Sequence, residues 1–226
     1  MKFDPRTEQA LLKQLREMIL PERWKRFEKV LSSRTRHLTV VLEDIFQTHN
    51  ASAVIRNCEL MGIQDLHVIE NENTYQINPD IVVGANKWIH ILKHNEENNN
   101  TRTCFNFLRK EGYRIVATSP HQNDQFINEL EMDQKTALVF GNEGRGLTDY
   151  ALQNADAYVK IPMWGFTESY NLSVSVALTL YELLGRLRNS NIPWQLSAAQ
   201  KQTLLLEYAL KTIKNPDTFL KRMLKG

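Results

Sequence analysis

The sequence predicts an α/β fold in which a parallel sheet carries helices on both faces. Short runs rich in β-branched residues alternate with helical segments, and residues 38–70 already form a strand–helix–strand unit. Strands connected in this way pair in parallel, and right-handed crossovers place helices on both faces of the sheet. With 226 residues, 42% of them hydrophobic, the chain can bury one large core with short appendages.

The N-terminal region predicts helices followed by a first strand. Apolar residues recur at helical spacing over residues 7–33, and Pro21 begins a second helical run. The period then changes, because residues 38–42 (LTVVL) form a short β-branched run that predicts a buried strand. Asn50 is a suitable N-cap for a helix over residues 51–61, which Gly62 would end.

The alternation continues to the C-terminus, giving five or six strands. Residues 82–92 are ambiguous, and residues 189–197 read as a linker. Strands are predicted at residues 65–70, 114–118, 136–140 and 157–161, and helices at 101–112, 149–155, 172–188 and 198–225, the last with a break at Asn215-Pro216. We therefore expect a helical extension over residues 1–37, a domain over 38–188, and a linker with a helical extension over 189–226.

The net charge of +2 conceals basic ends and an acidic middle. Residues 1–37 contain ten Lys and Arg against five Asp and Glu, and residues 201–226 contain six against two. Residues 38–200 contain twelve against nineteen. This distribution suits a polyanion that the ends hold and the middle processes, although Lys- and Arg-rich solvated helix faces would give the same pattern.

Several classes of protein are unfavourable. The chain has 2 cysteines, with no Cys/His spacing typical of a metal site, so we expect neither a structural zinc ion nor a disulfide framework. The N-terminus has no apolar signal-peptide core, and no stretch of 18 apolar residues occurs. We expect a cytoplasmic protein without a membrane span.

Two segments depart from plain core patterning. Phe140-Gly-Asn-Glu-Gly-Arg-Gly-Leu147 follows an apolar strand, and its glycines allow the backbone to approach a ligand closely. It is neither a Walker A loop nor GxGxxG, and a glycine-rich turn without a ligand remains an alternative. Ile161-Pro-Met-Trp-Gly-Phe-Thr-Glu-Ser-Tyr-Asn-Leu-Ser-Val-Ser175 leads into an apolar helix. Ser169 or Asn171 would cap that helix, but the segment is more polar than one cap requires.

These two segments resemble the second and third motifs of the SpoU family of RNA ribose 2′-O-methyltransferases, within the SPOUT superfamily. Asn50 and Arg56, six residues apart, resemble the first motif. The resemblance covers residues 36–188. The basic helical ends are similar to those of the subgroup that methylates guanosine riboses in the tRNA D-loop. The resemblance implies a C-terminal trefoil knot, a homodimer and the cofactor S-adenosylmethionine.

The resemblance also implies the site residues. Arg56, Asn50, Glu143, Asn171 and Ser169 carry over as catalytic residues, and Thr118, Gly141, Ile161 and Tyr170 as cofactor-binding residues. Arg56 either binds the 3′-phosphate, whose oxygen then accepts the ribose proton, or acts as a base in an unusually cationic site. Tyr170 departs from the aliphatic residue usual between that serine and asparagine.

The basic ends supply the expected tRNA contacts, most of them to phosphates. We single out Arg23, Lys25, Arg26, Arg34, Arg36, Lys211, Lys214, Lys221 and Arg222. Trp24, Trp164 and Trp194 could stack on bases, although buried packing is favoured for each. The six histidines form no usable pattern.

Three functions remain open at this stage. The first is a tRNA D-loop guanosine 2′-O-methyltransferase. The second is a ribosomal RNA ribose methyltransferase of the same fold, which the short segment before the first strand disfavours. The third is a catalytically silent RNA-binding relative, which the presence of all five implied catalytic residues disfavours.

Overall fold

A computed structural model of the chain describes residues 3–119 and 125–224 and divides the chain into two compact units. The larger unit contains residues 35–194, and the smaller unit combines residues 1–34 with residues 195–226. The two terminal extensions, expected as separate pieces, therefore belong to one unit. Residues 1, 2, 225 and 226 of those extensions lie outside the described residues.

The larger unit contains a parallel sheet whose described strands number seven, in the order β3-β2-β1-β6-β4-β7-β5. The strands are β1 (Leu38–Glu43), β2 (Asp65–Ile69), β3 (His90–His94), β4 (Arg114–Thr118), β5 (Gln125–Phe126), β6 (Thr136–Phe140) and β7 (Ala157–Lys160). Every pairing among them is parallel, which confirms the predicted sheet. β3 overlaps the end of the ambiguous region over residues 82–92 and extends beyond it, and the sequence does not predict β5.

Helices cover both faces of the sheet, as predicted. The helices of this unit are α3 (Thr48–Met61), α4 (Pro79–Val82), α5 (Asn100–Lys110), α6 (Asp149–Gln153) and α7 (Leu172–Arg188). Val40 and Leu42 of β1 pack in one core with residues of α3 and α7, whereas Val41 packs in the other core with residues of α5 and α6. Successive side chains of a strand point to opposite faces, which explains this division.

The start of α3 corrects one expectation. The helix begins at Thr48 with Gln47 as its N-cap residue, so Asn50 lies inside the first turn rather than at the cap. The end of the helix is as predicted, because Gly62 adopts a left-handed conformation with φ of 87°. The early start frees the Asn50 side chain for other contacts.

The smaller unit is helical and contains α1 (Pro5–Met18), α2 (Pro21–Ser32), α8 (Ala198–Leu210) and α9 (Pro216–Leu224). Pro21 begins α2 as predicted, and α9 begins at Pro216 after an interruption. Trp24 is buried, as favoured for it, and the rings of Phe27 and Tyr208 lie 6.0 Å apart. Within the described residues, no helix combines the length and the hydropathy needed to cross a membrane.

Candidate active site

A cavity of about 560 Å³ lies at the carboxyl ends of the central strands. Thr118, Phe140 and Lys160, which end β4, β6 and β7, contribute to its lining. This edge of an open parallel sheet is where such folds bind ligands. All the predicted catalytic and cofactor-binding residues except Arg56 line the cavity, namely Asn50, Thr118, Gly141, Glu143, Ile161, Ser169, Tyr170 and Asn171.

A chain of hydrogen bonds joins the three motif segments in this cavity. Asn171 donates from Nδ2 to Oδ1 of Asn50 over 3.0 Å, and Asn50 donates from Nδ2 to Oε1 of Glu143 over 2.9 Å. The other carboxylate oxygen of Glu143 accepts from the backbone N–H of Phe46 at 3.3 Å. Glu143 is thus held by donors on both oxygens, and the side chain of Asn50 is fixed by bonds at both ends.

The glycine-rich loop closes on itself, which explains its first and last glycines. Asn142 and Gly146 exchange backbone hydrogen bonds of 3.0 and 2.9 Å. A Cβ on Gly141 would lie 2.3 Å from the carbonyl carbon of Gly146, and Gly146 has a φ of +72°. The glycines are therefore required first by the loop's own backbone, and the closed loop then presents Glu143 to the cavity.

The loop between β7 and α7 supplies the other side of the cavity. Oδ1 of Asn171 accepts a 2.9 Å hydrogen bond from the N–H of Ser173 and caps α7, so one side chain serves both as a cap and as a partner of Asn50. Ser169 and Tyr170 are exposed along the cavity lining. The hydroxyl of Thr118 donates to the carbonyl of Val139 over 2.9 Å, which joins the ends of β4 and β6.

Arg56 lies apart from the cavity lining. Its side chain is exposed on α3 and makes no hydrogen bond or ion pair with any described residue. The next residue, Asn57, donates to the carbonyl of Ser173 over 3.0 Å, so the Arg56 backbone lies beside the start of α7. The guanidinium consequently has no partner among the described residues, and the backbone that carries it adjoins the segment of Asn171.

The cavity also contains polar residues that the sequence analysis did not single out. Thr179 is fully buried, its hydroxyl has no hydrogen-bond partner among the described residues, and it lines the cavity. Gln47 lines it too, and its Oε1 accepts from Nδ2 of Asn50 at 2.9 Å. A lone threonine within the apolar run of α7 was a visible signal, whereas nothing in the sequence distinguished Gln47.

Most of the basic residues proposed to contact tRNA are exposed, but two are not available. Arg23, Lys25, Arg26, Lys211, Lys214, Lys221 and Arg222 are exposed. Arg34, in contrast, is only 1% exposed, so its guanidinium does not face a bulk phosphate backbone. Arg36 pairs with Asp65 at 2.7 Å. Although burial opposes it, hydrogen bonds from His90 and Arg36 hold the pKa of Asp65 below its ordinary value.

A second polar cluster lies away from the cavity, between β2, β3 and α5. His67, His94 and Cys104 bring potential metal-ligand atoms within 4.8 Å of one another, a grouping that the sequence did not reveal. Nδ1 of His67 and Nε2 of His94 face each other at 3.1 Å as a hydrogen-bonded pair. Burial, together with His94, lowers the pKa of His67 to about 4, and burial raises the pKa of the Cys104 thiol. We therefore interpret this cluster as a neutral packed pair of imidazoles beside a protonated thiol.

Comparison with known proteins identifies the family of this chain. The sequence model of the SpoU rRNA Methylase family matches residues 37–181. A tRNA (guanosine(18)-2′-O)-methyltransferase of Borreliella burgdorferi is 46% identical over 89% of this chain and 90% of its own length. The enzyme of that name from Thermus thermophilus is 32% identical over 71% of this chain and 80% of its own. The crystal structure of a TrmH/SpoU tRNA-modifying enzyme of A. aeolicus superposes with a TM-score of 0.74 at 31% identity, covering 85% of this chain and 98% of that one.

Proposed function

Since the chain belongs to the SpoU rRNA Methylase family, we propose that it is a tRNA (guanosine(18)-2′-O)-methyltransferase. It is an S-adenosylmethionine-dependent RNA methyltransferase, and the proposed target is a ribose 2′-hydroxyl in the tRNA D-loop. The relatives that carry this activity in their names align with most of the chain. The observation that carries the proposal is the hydrogen-bond chain Asn171–Asn50–Glu143, because it joins all three motif segments in one cavity.

The cavity suits S-adenosylmethionine. A volume of about 560 Å³ is ample for a drug-sized ligand. The buried, unpartnered hydroxyl of Thr179 offers a hydrogen bond to a ligand, and the carboxylates of Glu143 and Glu168 suit the positive charge of a sulfonium. We propose that Thr118, Gly141, Ile161 and Tyr170 hold the cofactor, largely through their main-chain groups. When bound, the cofactor would supply its methyl group: the ribose 2′-oxygen would attack the methyl carbon in line with the carbon–sulfur bond, and S-adenosylhomocysteine would leave as a neutral thioether.

The residues of the chain orient the ribose and the groups around it. Asn50 and Asn171 are fixed by their mutual hydrogen bond, and a pre-positioned amide next to the reacting hydroxyl contributes mainly through orientation. Glu143 is held by hydrogen bonds from Asn50 and from the N–H of Phe46. Its carboxylate adds negative charge beside the methyl donor. Ser169 lies exposed on the same lining and is proposed to bind the substrate ribose.

Arg56 is proposed to hold the 3′-phosphate of the target nucleotide. An arginine keeps its proton under nearly all conditions, so a role as general base is physically unfavourable. Its side chain is exposed on α3, next to the residue that bonds to the start of α7, and a guanidinium can form two parallel hydrogen bonds to a phosphate. A phosphate oxygen held in this way can then accept the proton that the 2′-hydroxyl loses.

The tRNA body is proposed to bind the smaller unit through its exposed basic residues. Arg23, Lys25 and Arg26 are exposed on α2, and Lys221 and Arg222 on α9. Lys211 and Lys214 are exposed between α8 and α9. Contacts of this kind give salt-sensitive affinity with little base specificity. Arg34 and Arg36 are left out of the proposal because the first is buried and the second is paired.

A homodimer is proposed because α7 leaves apolar residues exposed. One face of α7 is buried, yet Val174, Leu178 and Tyr181 are 43%, 41% and 76% exposed. Leu60, on the neighbouring α3, is 70% exposed. Apolar side chains on two adjoining helices suit burial against a second copy. The trefoil knot and a cytoplasmic location, which the family resemblance and a tRNA substrate imply, belong to the same proposal.

Methyl transfer to defined RNAs tests the proposed function. The protein is incubated with labelled S-adenosylmethionine and, separately, bulk tRNA or ribosomal RNA, and the labelled nucleosides are identified after digestion. We expect 2′-O-methylguanosine in tRNA, mapped to the D-loop. Label in ribosomal RNA alone would mean that the protein is a ribosomal RNA ribose methyltransferase instead. Bound cofactor without label in either RNA would favour the catalytically silent relative.

A further inference from the structure

The loop between β7 and α7 exposes two large aromatic side chains. Trp164 is 91% exposed and Phe166 is 109% exposed, and residues 164–171 are all exposed. Of the other tryptophans, Trp24 is buried and Trp88 and Trp194 are half-buried. A Trp and a Phe that stay fully exposed do not contribute the free energy that their burial would give to folding. Two such side chains only two residues apart are typical of a binding surface.

Both ends of this loop are anchored at the cavity. Ile161 and Met163 line it before the aromatic pair, and residues 168–171 line it after the pair. Trp164 and Phe166 therefore stand at the rim of the candidate active site rather than at a remote position. Phe46, 73% exposed, donates its backbone N–H to Glu143 and therefore lies next to the Asn171–Asn50–Glu143 hydrogen bonds from another segment.

The charge of the surrounding chain indicates how an RNA would be held here. Residues 38–200 contain nineteen Asp and Glu against twelve Lys and Arg, so phosphate attraction is weak in this part of the molecule. Stacking of bases on aromatic rings needs no positive charge and tolerates any base. Exposed aromatic rings at the rim of an acidic body are thus suited to unpaired bases.

We infer that Trp164 and Phe166 stack on unpaired bases of the RNA substrate next to the target ribose. In this way they hold the target nucleotide out of its own stack and over the Asn171–Asn50–Glu143 chain. The inference rests on the proposed function for the identity of the substrate. A contact with a second copy of the chain would need a continuous apolar surface. This loop does not offer one, because Gly165 separates the two rings and the polar residues Thr167, Glu168 and Ser169 follow them.

Variants of the two rings test this inference with unmodified transcribed tRNA as the probe. Base–aromatic stacking contributes ~1–3 kcal/mol, so Trp164→Ala and Phe166→Ala are each expected to raise the KM for tRNA by roughly 5- to 150-fold. Trp164→Phe retains a stacking ring and is expected to stay near the wild type. Val83→Ala removes another exposed apolar side chain, 67% exposed and outside the cavity lining, and serves as the matched control.

Three further measurements show whether the loop of Trp164 and Phe166 contacts RNA, the cofactor or a second copy of the chain. Titration with tRNA is expected to quench the tryptophan emission of the wild type, and Trp164→Phe to remove most of that quench. The affinity for S-adenosylmethionine and the sedimentation coefficient are expected to stay unchanged in all variants. A matching loss of cofactor affinity would mean that the loop covers the cofactor, and a shift to monomer would mean that it contacts a second copy; either result overturns the inference.

The wild-type reactions separate this inference from the proposed function. Wild-type protein that fails to methylate tRNA would contradict the proposed function. Wild-type activity together with an unchanged KM in both alanine variants, and a quench that persists in Trp164→Phe, would contradict only the stacking inference.

Discussion

Asn50 and Glu143 lie 93 residues apart in the chain, yet Nδ2 of the first donates a 2.9 Å hydrogen bond to Oε1 of the second. The bond connects the first turn of α3, which follows β1 in the chain, to the loop that follows β6. β1 and β6 are neighbours in the sheet. The pairing of those strands therefore fixes the relative position of the two motifs. The hydrogen bond therefore depends on the register in which β1 and β6 pair.

Asn50→Asp is expected to disable the site without unfolding the chain. The new carboxylate would face Glu143 and replace the donor with a like charge, which raises the pKa of one of the two carboxyls. A hydrogen bond to a charged group contributes ~1.5–3 kcal/mol, so kcat/KM for tRNA should fall by roughly 10- to 150-fold.

The pH dependence of methyl transfer tests whether repulsion between the two carboxylates causes the loss of activity in Asn50→Asp. Protonation of one carboxyl restores a donor between the two groups, so Asn50→Asp should recover activity relative to the wild type as the pH falls. Asn106→Asp, which adds a carboxylate at an exposed position on α5, should leave the pH profile unchanged. A deficit that does not change with pH would contradict the account.

Gly141→Ala is expected to abolish tight binding of S-adenosylmethionine. The added Cβ would overlap the Gly146 carbonyl carbon at 2.3 Å, so the loop that lines the cavity must open. We expect an affinity at least roughly tenfold weaker, equivalent to ~1.4 kcal/mol, by calorimetry. Gly144→Ala is the matched control, because the nearest atom to its Cβ would be Oδ1 of Asn142 at 3.6 Å. Equal affinities in the two variants would count against this reading of the loop.

The sequence predicted the central strands well because each is apolar on both faces. β4 and β6 were predicted with their observed bounds, and their side chains are almost all buried. β3 was not predicted because it is only half-buried, as an edge strand of the sheet, and its residues HILKH mix polar and apolar character. β5 is a strand of two residues, too short for a period to be visible.

The candidate site was predictable as a set of residues but not as a geometry. The motif segments identified the cavity-lining residues, whereas the role of Asn50 as a bridge rather than an N-cap depends on where α3 begins. The prediction of Arg34 as a tRNA contact rests on its charge alone, and charge does not indicate burial. The approach of His67 to His94 follows from the parallel pairing of β2 and β3, which no local pattern specifies.

Arg56 is expected to matter for catalysis and not for stability. It is exposed and forms no hydrogen bond or ion pair with the described residues, so Arg56→Ala should change the free energy of unfolding by no more than about 0.5 kcal/mol. Phosphate holding predicts a large loss of kcat/KM for tRNA, and a loss in Arg56→Lys as well, because lysine cannot bind the phosphate through two parallel bonds.

Steady-state kinetics and chemical denaturation together check the Arg56 prediction. Arg102→Ala, which removes an exposed arginine from α5, is the matched control and should retain wild-type kinetics. An Arg56→Lys variant that keeps most of its turnover at unchanged tRNA affinity would show that two-point phosphate holding is the wrong role.

His67 should make the protein less stable below neutral pH. Burial, with a contribution from His94, lowers its pKa in the folded state to about 4 from an ordinary value of 6.5. Above pH 6.5 the imidazole is neutral in both states, so it adds no pH dependence. Between 6.5 and about 4 only the unfolded chain gains the proton, and stability falls as the pH falls. The loss is at most about 3 kcal/mol and levels off below pH 4.

Denaturant titrations at pH 7.5 and pH 5 measure this loss, and NMR titration of the imidazole C–H resonances gives the pKa of His67 in the folded state. His67→Phe should lower stability at pH 7.5, because His94 loses its partner, and should reduce the difference between the two pH values. Part of the difference should remain, because burial also lowers the pKa of His94. His49→Asn removes an exposed histidine and should keep the wild-type difference. A His67 resonance that titrates near 6.5, or a pH dependence that survives His67→Phe intact, would assign the acid sensitivity to other groups.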